Sequence, residues 1–176
     1  MNELLKKLKL IDYLKTELQI DKNEFAKQLS LVTDRESVGM FLNPFDVFST
    51  SKNEFRGQVN EYGFKLQRRR RLFDTNGNMA VAKGKLFEKD GQLTIETEIN
   101  GFNNFFIFFY AILIVFYSIF IIVGFIFPND GVGFFIIPFI LLHATLMFAL
   151  PYFMMRRSVK RLKYELEREF FYLTKK

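Results

Sequence analysis

The spacing of hydrophobic positions changes several times along the chain. Leu4, Leu8, Ile11 and Leu18 recur at helical spacing, flanked by Met1 and Leu14, and predict an amphipathic helix over residues 2–19. Lys7 and Lys15 interrupt that stripe. Asp21-Lys22-Asn23-Glu24 then has the form of a capping box, in which the Asp21 side chain accepts from the Glu24 amide and Glu24 reaches back. It predicts a second helix with Phe25, Leu29 and Val32 facing inward, ending near Asp34. Helices therefore occupy residues 1–34. Across residues 35–53, Gly39, Asn43-Pro44 and Ser49-Thr50-Ser51 break regular structure, while Phe41, Leu42, Phe45 and Phe48 require burial. The expectation is an ordered linker pinned against the core.

From residue 54 the period becomes two. Phe55, Gly57 and Val59 alternate with polar residues, as do Phe64 and Leu66, and Leu93, Ile95, Thr97 and Ile99. Met79–Glu88 reads as a further strand in which Gly84 suggests a bulge. Glu61-Tyr62-Gly63, Asp74-Thr75-Asn76-Gly77 and Lys89-Asp90-Gly91 supply hairpin chemistry between them. Residues 54–100 thus predict a four-stranded antiparallel meander with one apolar face, covered by the N-terminal helices.

Beyond residue 100 periodicity disappears. Phe105–Phe127 and Val132–Met155 are apolar runs of 23 and 24 residues without a charge. A bilayer core of about 30 Å needs about 20 helical residues. The turn formers Pro128-Asn129-Asp130-Gly131 join the two runs, so residues 102–155 predict a transmembrane hairpin. A soluble domain of this size could not surround two helices apolar on every side. The tail, 156–176, regains a helical stripe through Val159, Leu162, Leu166, Phe170 and Leu173. It could fold onto the sheet or pair with a second copy. The expected fold class is an α+β membrane protein: N-terminal helices on a β-meander, a two-helix hairpin and a C-terminal amphipathic helix.

Charge sharpens this division. Of 176 residues, 49% are hydrophobic and the net charge is +6. The charges are segregated: residues 1–100 hold 17 Lys/Arg and 15 Asp/Glu, residues 101–155 hold Asp130 alone, and residues 156–176 hold 8 Lys/Arg and 3 Glu. Such a chain is not disordered, and with no cysteine it is not a disulfide scaffold. Arg156, Arg157, Lys160, Arg161 and Lys163 follow the second span, whereas the hairpin loop has no basic residue. The positive-inside rule then predicts both termini in the cytoplasm and the loop outside. The charged start lacks the form of a signal peptide. Richness in Phe, Ile, Lys and Asn suggests a bacterial source, hence the inner membrane as location.

Little catalytic chemistry is legible. Without Cys, and with its single His inside a span, the chain has no Cys nucleophile, Ser-His-Asp triad or histidine metal cluster. No glycine-rich phosphate loop precedes a helix. Asp74, Glu88 and Asp90 fall at hairpin ends, where acids usually serve turns. No catalytic, cofactor-binding or metal-binding residue is predicted, and no cofactor.

Two groups of residues stand out. Tyr117 lies 12 residues from Phe105 and His143 lies 12 from Met155. At 1.5 Å per residue both sit roughly 18 Å into an antiparallel hairpin. They could hydrogen-bond, either as a structural pair or as a proton or ion relay. Arg68, Arg69, Arg70 and Arg71 form the second group. In a meander whose last strand runs directly into the first span, they would join Arg156, Arg157, Lys160 and Arg161 in a basic collar against anionic headgroups. Nucleic acid is not expected, because the acids nearly balance the domain.

Three functional classes follow. The favoured one is a non-catalytic, membrane-anchored interaction or regulatory protein, such as an accessory subunit or an immunity-type protein, whose partner is another protein. The second is a subunit of an oligomeric channel or transporter using Tyr117 and His143. The third is a lipid-acting membrane enzyme. A homo-oligomer is compatible with each.

Overall fold

The first element is cut short by its own backbone. In the computed structural model, which describes residues 2–39, 51–69, 78–89, 91–126 and 132–174, helix α1 spans only Asn2–Lys7. Lys9 takes a left-handed conformation, φ 56°. The Lys9 amide donates to the Lys6 carbonyl and the Leu10 amide to the Leu5 carbonyl. This is a Schellman ending with lysine where glycine is usual, closed by burial of Leu5 and Leu10. The predicted helix over 2–19 is therefore replaced, from Ile11 to Leu18, by strand β1. Asp12, Leu14, Thr16 and Leu18 lie half-buried while Tyr13, Lys15 and Glu17 are exposed. That alternation is the signature of a strand, and the helical spacing of the leucines had masked it.

Asp21 caps α2 (Lys22–Leu31) by accepting from the amides of Asn23 and Glu24. Glu24 instead accepts from Gln28, one turn on. Phe25 and Leu29 are fully buried, as their spacing predicts. The helix gives way to β2 (Thr33–Arg35), which pairs parallel to β3 (Phe55–Asn60). Strands β4 (Gly63–Arg68), β5 (Val81–Lys89) and β6 (Gln92–Asn100) follow antiparallel. Among the described residues the sheet has six strands in the order β1-β6-β5-β4-β3-β2, not four. The expected strands form its centre, and β1 and β2 extend its two edges. Gly84 is not a bulge: register runs unbroken from Phe64 through Gly84 to Thr97. A Cβ there would overlap the Phe64 ring, so the glycine serves close approach.

Two long helices complete the described residues: α3 (Asn104–Ile126) and α4 (Val132–Leu173). Both contain a stretch long and apolar enough to cross a membrane, and hardly any of either stretch is buried in protein. Neither stretch is covered as a core helix of this chain would be. Helix α4 is continuous over 42 residues and passes through Pro138 and Pro151 without ending.

The chain divides into two compact units, Met1–Phe102 with Met154–Lys176, and Asn103–Phe153. In the first unit, Val159, Leu162, Leu166, Phe170 and Leu173 of α4 join Phe25 and Leu29 of α2 over one face of the sheet. The Phe170 ring lies edge-on to Phe25 and Phe64, with centroids 5.4 and 5.8 Å apart. The tail thus folds onto its own sheet and supplies much of the core that the N-terminal helices were expected to provide. Burial of each such side chain contributes about 1.5–3 kcal/mol. The predicted hairpin loop, the Asp74–Gly77 turn and linker residues Phe41, Leu42, Phe45 and Phe48 lie outside the described residues.

Candidate functional site

In the apolar unit, the Tyr117 hydroxyl lies 2.7 Å from His143 Nδ1. Equal depth on antiparallel helices brings the two residues together, as their positions in the sequence suggest. Tyr117 is buried and His143 partly so. Tyr110 donates to the Phe148 carbonyl at 3.4 Å and its ring stacks on Phe148. Phe148 is adjacent to Met147, whose carbonyl loses its helical partner because Pro151 has no N–H. Ser118 and Thr145 turn back onto the carbonyls of Ile114 and Leu141, so they satisfy themselves within their helices. Among the described residues the hairpin carries two inter-helix polar contacts, one of them with the single histidine.

The arginine run behaves otherwise than expected. Arg69 is 3% exposed and its Nη2 sits 2.6 Å from Asp34 and 2.7 Å from Glu36. Arg68 Nε pairs with Glu165 of α4 at 2.7 Å, and the Glu165 side chain is 1% exposed. These two guanidiniums are paired and largely buried inside the protein unit, where an exposed basic edge was expected. The reason is tertiary: strand β2 and helix α4 bring carboxylates from distant parts of the chain to meet them, and a buried charge must be paired. Arg70 and Arg71 lie outside the described residues. Arg161 is exposed, with its Nε 2.5 Å from the buried Glu165. Arg156, Arg157 and Lys160 remain exposed.

The sequence reading missed a buried polar network around Arg56, which is 1% exposed. Its Nη2 donates to Gln67 Oε1 at 3.0 Å and to the Gly39 carbonyl at 3.3 Å. Gln67 also accepts from the Gly39 amide and donates to the Asn78 carbonyl. Asn78 Nδ2 donates to the Arg69 carbonyl. The network ties Gly39 and Asn78 to strands β3 and β4. Burial would raise the Asp34 carboxyl, but hydrogen bonds from Ser51 and Asn53 and the Arg69 charge outweigh it. They hold Asp34 below the usual carboxylate value of 3.8. Arg56 on β3 lies directly opposite Gln67 on β4, and the polar residue types alone do not distinguish a buried network from a solvated face.

Helices α2 and α4 cover only one face of the sheet. On the other, Lys15 lies opposite Glu96 and Glu96 opposite Lys85, while Tyr13, Glu98, Lys83 and Lys65 form the next row across. A shallow depression on this face is lined by Tyr13, Lys15, Lys83, Lys85, Glu96 and Glu98 among others. A hydrogen bond from Lys15 to Glu17, reinforced by their opposite charges, holds the Lys15 ammonium above its ordinary 10.5. The face is a lattice of mixed charges, without a concentrated field of either sign.

Among the described residues, no group of three His, Cys, Asp or Glu could hold a metal ion. No family model, no curated protein and no solved structure matches the chain. Function must therefore be argued from these arrangements alone.

Proposed function

We propose that the chain is a non-catalytic interaction or regulatory protein anchored in the bacterial inner membrane, an accessory-subunit or immunity-type protein with a cytoplasmic α+β domain. One observation carries this reading: the protein unit that contains the sheet is assembled from both flanks of the apolar hairpin, Met1–Phe102 and Met154–Lys176. A core shared by segments on either side of a hairpin requires both on the same side of the bilayer. The exposed Arg156, Arg157 and Lys160, following the second apolar stretch, favour the cytoplasm. They are also the residues that would meet anionic headgroups, each contributing about 1 kcal/mol near the surface. Arg161, also exposed, can join them, whereas Arg68 and Arg69 are held by carboxylates within the unit. The mixed-charge open face of the sheet suits a protein partner of complementary charge pattern better than a polyanion.

Cysteine introduced at Asn129 should react with a membrane-impermeant thiol reagent in intact cells, and cysteine at Lys175 should not; the reverse pattern overturns the orientation. A photo-crosslinking residue in place of Lys85 should then join the full chain to one discrete protein in native membranes. The functional reading fails if no protein is joined and the purified chain instead supports pH-dependent ion flux or converts lipid.

A further inference from the structure

The apolar unit holds a notch of about 330 Å³ between α3 and α4, lined by Phe116, Tyr117, Phe120, Phe139, Ile140 and His143. That volume is at the small end of the range for ligand pockets, about 300–1,000 Å³, and suits a single substituted ring. Its only polar wall is the Tyr117–His143 pair. Tyr117 occupies His143 Nδ1. Among the described residues, His143 Nε2 has no hydrogen-bond partner.

The choice of tautomer follows from counting unsatisfied groups. If Nδ1–H donated to the phenol oxygen, the phenol proton and the Nε2 lone pair would both lack partners in a medium without water. If the phenol donates to Nδ1, only Nε2–H is left over. The second arrangement costs less, since each unpaired polar group in an apolar medium costs several kcal/mol. His143 Nε2–H is then a donor in need of an acceptor, near the middle of the apolar stretch of α4.

Depth narrows the acceptor. Ester and phosphate oxygens of lipids lie at the interface, outside the hydrocarbon core of about 30 Å. A close-packed helix from a second copy or another protein would want small residues on this surface. The notch is walled by Phe116, Phe120 and Phe139, with the Phe139 ring nearly parallel to that of His143 at 9°. Aromatic walls, one ring-sized space and one hydrogen-bond donor at mid-depth fit a flat, lipid-soluble ring bearing a carbonyl. We propose that this notch binds a lipid-soluble quinone, whose ring carbonyl accepts from His143 Nε2–H while its ring lies against Phe139 and Phe116. The proposal concerns binding only and is independent of the interaction reading above.

The chain contains one histidine, so a sample labelled with 15N-histidine reports a single imidazole. The full chain in phosphatidylcholine nanodiscs is titrated with decylubiquinone, and in parallel with decylbenzene, which keeps the ring and tail but lacks carbonyls. The expected result is a saturable downfield shift of the Nε2–H proton with decylubiquinone and none with decylbenzene. Ile140→Trp, which fills the notch, should abolish the shift, while the Nδ1 resonance still reports the Tyr117 bond. The absence of a saturable shift overturns the proposal, as does an equal shift with decylbenzene. A shift that follows the protein-to-lipid ratio without quinone assigns the notch to a second copy and also overturns it. The wild-type titration decides the matter even if Ile140→Trp perturbs the hairpin.

Discussion

Arg68–Arg69 and Arg156–Arg157 are two arginine pairs of the same local chemistry with opposite fates. One pair sits at the end of β4 and the other within α4, and in sequence both read as a basic edge beside the membrane. Arg69 is almost wholly buried between Asp34 and Glu36, and Arg68 pairs with the buried Glu165. Arg156 and Arg157 stand exposed on α4. The difference lies in what the fold brings opposite them. Residues 34 and 36 reach Arg69 because β2 pairs parallel to β3, and Glu165 reaches Arg68 because α4 lies on the sheet. Arg156 and Arg157 lie just before the buried stripe of α4, whose inward positions here are Met155, Ser158 and Val159. Ser158 accepts from the amides of Met79 and Ala80, so the inward face at this level is already occupied.

The contrast predicts a graded set of effects. Arg69→Gln should be the most damaging, because it removes the buried countercharge of Asp34 and leaves Glu36 with the more distant Arg56, 3.9 Å away. A loss of about 3–5 kcal/mol is expected, seen as faster hydrogen exchange across β2, β3 and β4 in the detergent-solubilised full chain. Exchange rates like those of wild type would mean the pairing is incidental. Phe170→Ala should cost about 3–5 kcal/mol by the same measurement, through cavity formation beside Phe25 and Phe64.

The opposite arm of the comparison predicts stability unchanged. Arg156→Gln, Arg157→Gln and Lys160→Gln together should leave sheet exchange rates alone but lower the share of anionic lipid that copurifies. About 1 kcal/mol per residue is at stake, declining as salt rises. A triple variant with destabilised sheet amides would show that these side chains, like Arg69, are structural.

Smaller still is the hairpin bond. Tyr117→Phe should weaken helix association by about 0.6 kcal/mol, read as a shift in the detergent concentration that separates α3 from α4. Combined with His143→Ala it should be less than additive, because both remove the same contact. Full additivity would mean that the two side chains act separately.

The acid response of Asp34 is the finest test. Its folded carboxyl titrates below the ordinary value of 3.8. Its contribution is therefore complete above that value and fades as pH falls from 3.8 through the lower folded value. Asp34→Asn should remove this part of the acid sensitivity of β2 exchange and leave the behaviour near neutrality to the lost Arg69 pairing.

Which features were legible in the chain depends on how local their causes are. The apolar runs, the Asp21 cap, the four central strands and the equal depth of Tyr117 and His143 follow from hydropathy, capping chemistry and simple rise per residue. These are properties of a segment in its solvent, so the segment alone determines them. The stripe through Val159, Leu166 and Phe170 likewise announced a buried face, though not what would cover it. Tertiary structure decided the rest. It chose a strand at Ile11–Leu18, where eight residues found pairing along β6 and Lys9 accepted a left-handed turn. It selected the sheet over a second copy as the partner of α4. It also turned Arg56, Arg68 and Arg69 inward, because the carboxylates and carbonyls that offset their burial come from segments up to about a hundred residues away. A lone segment can state that it needs a partner, but the identity of that partner is a property of the whole fold.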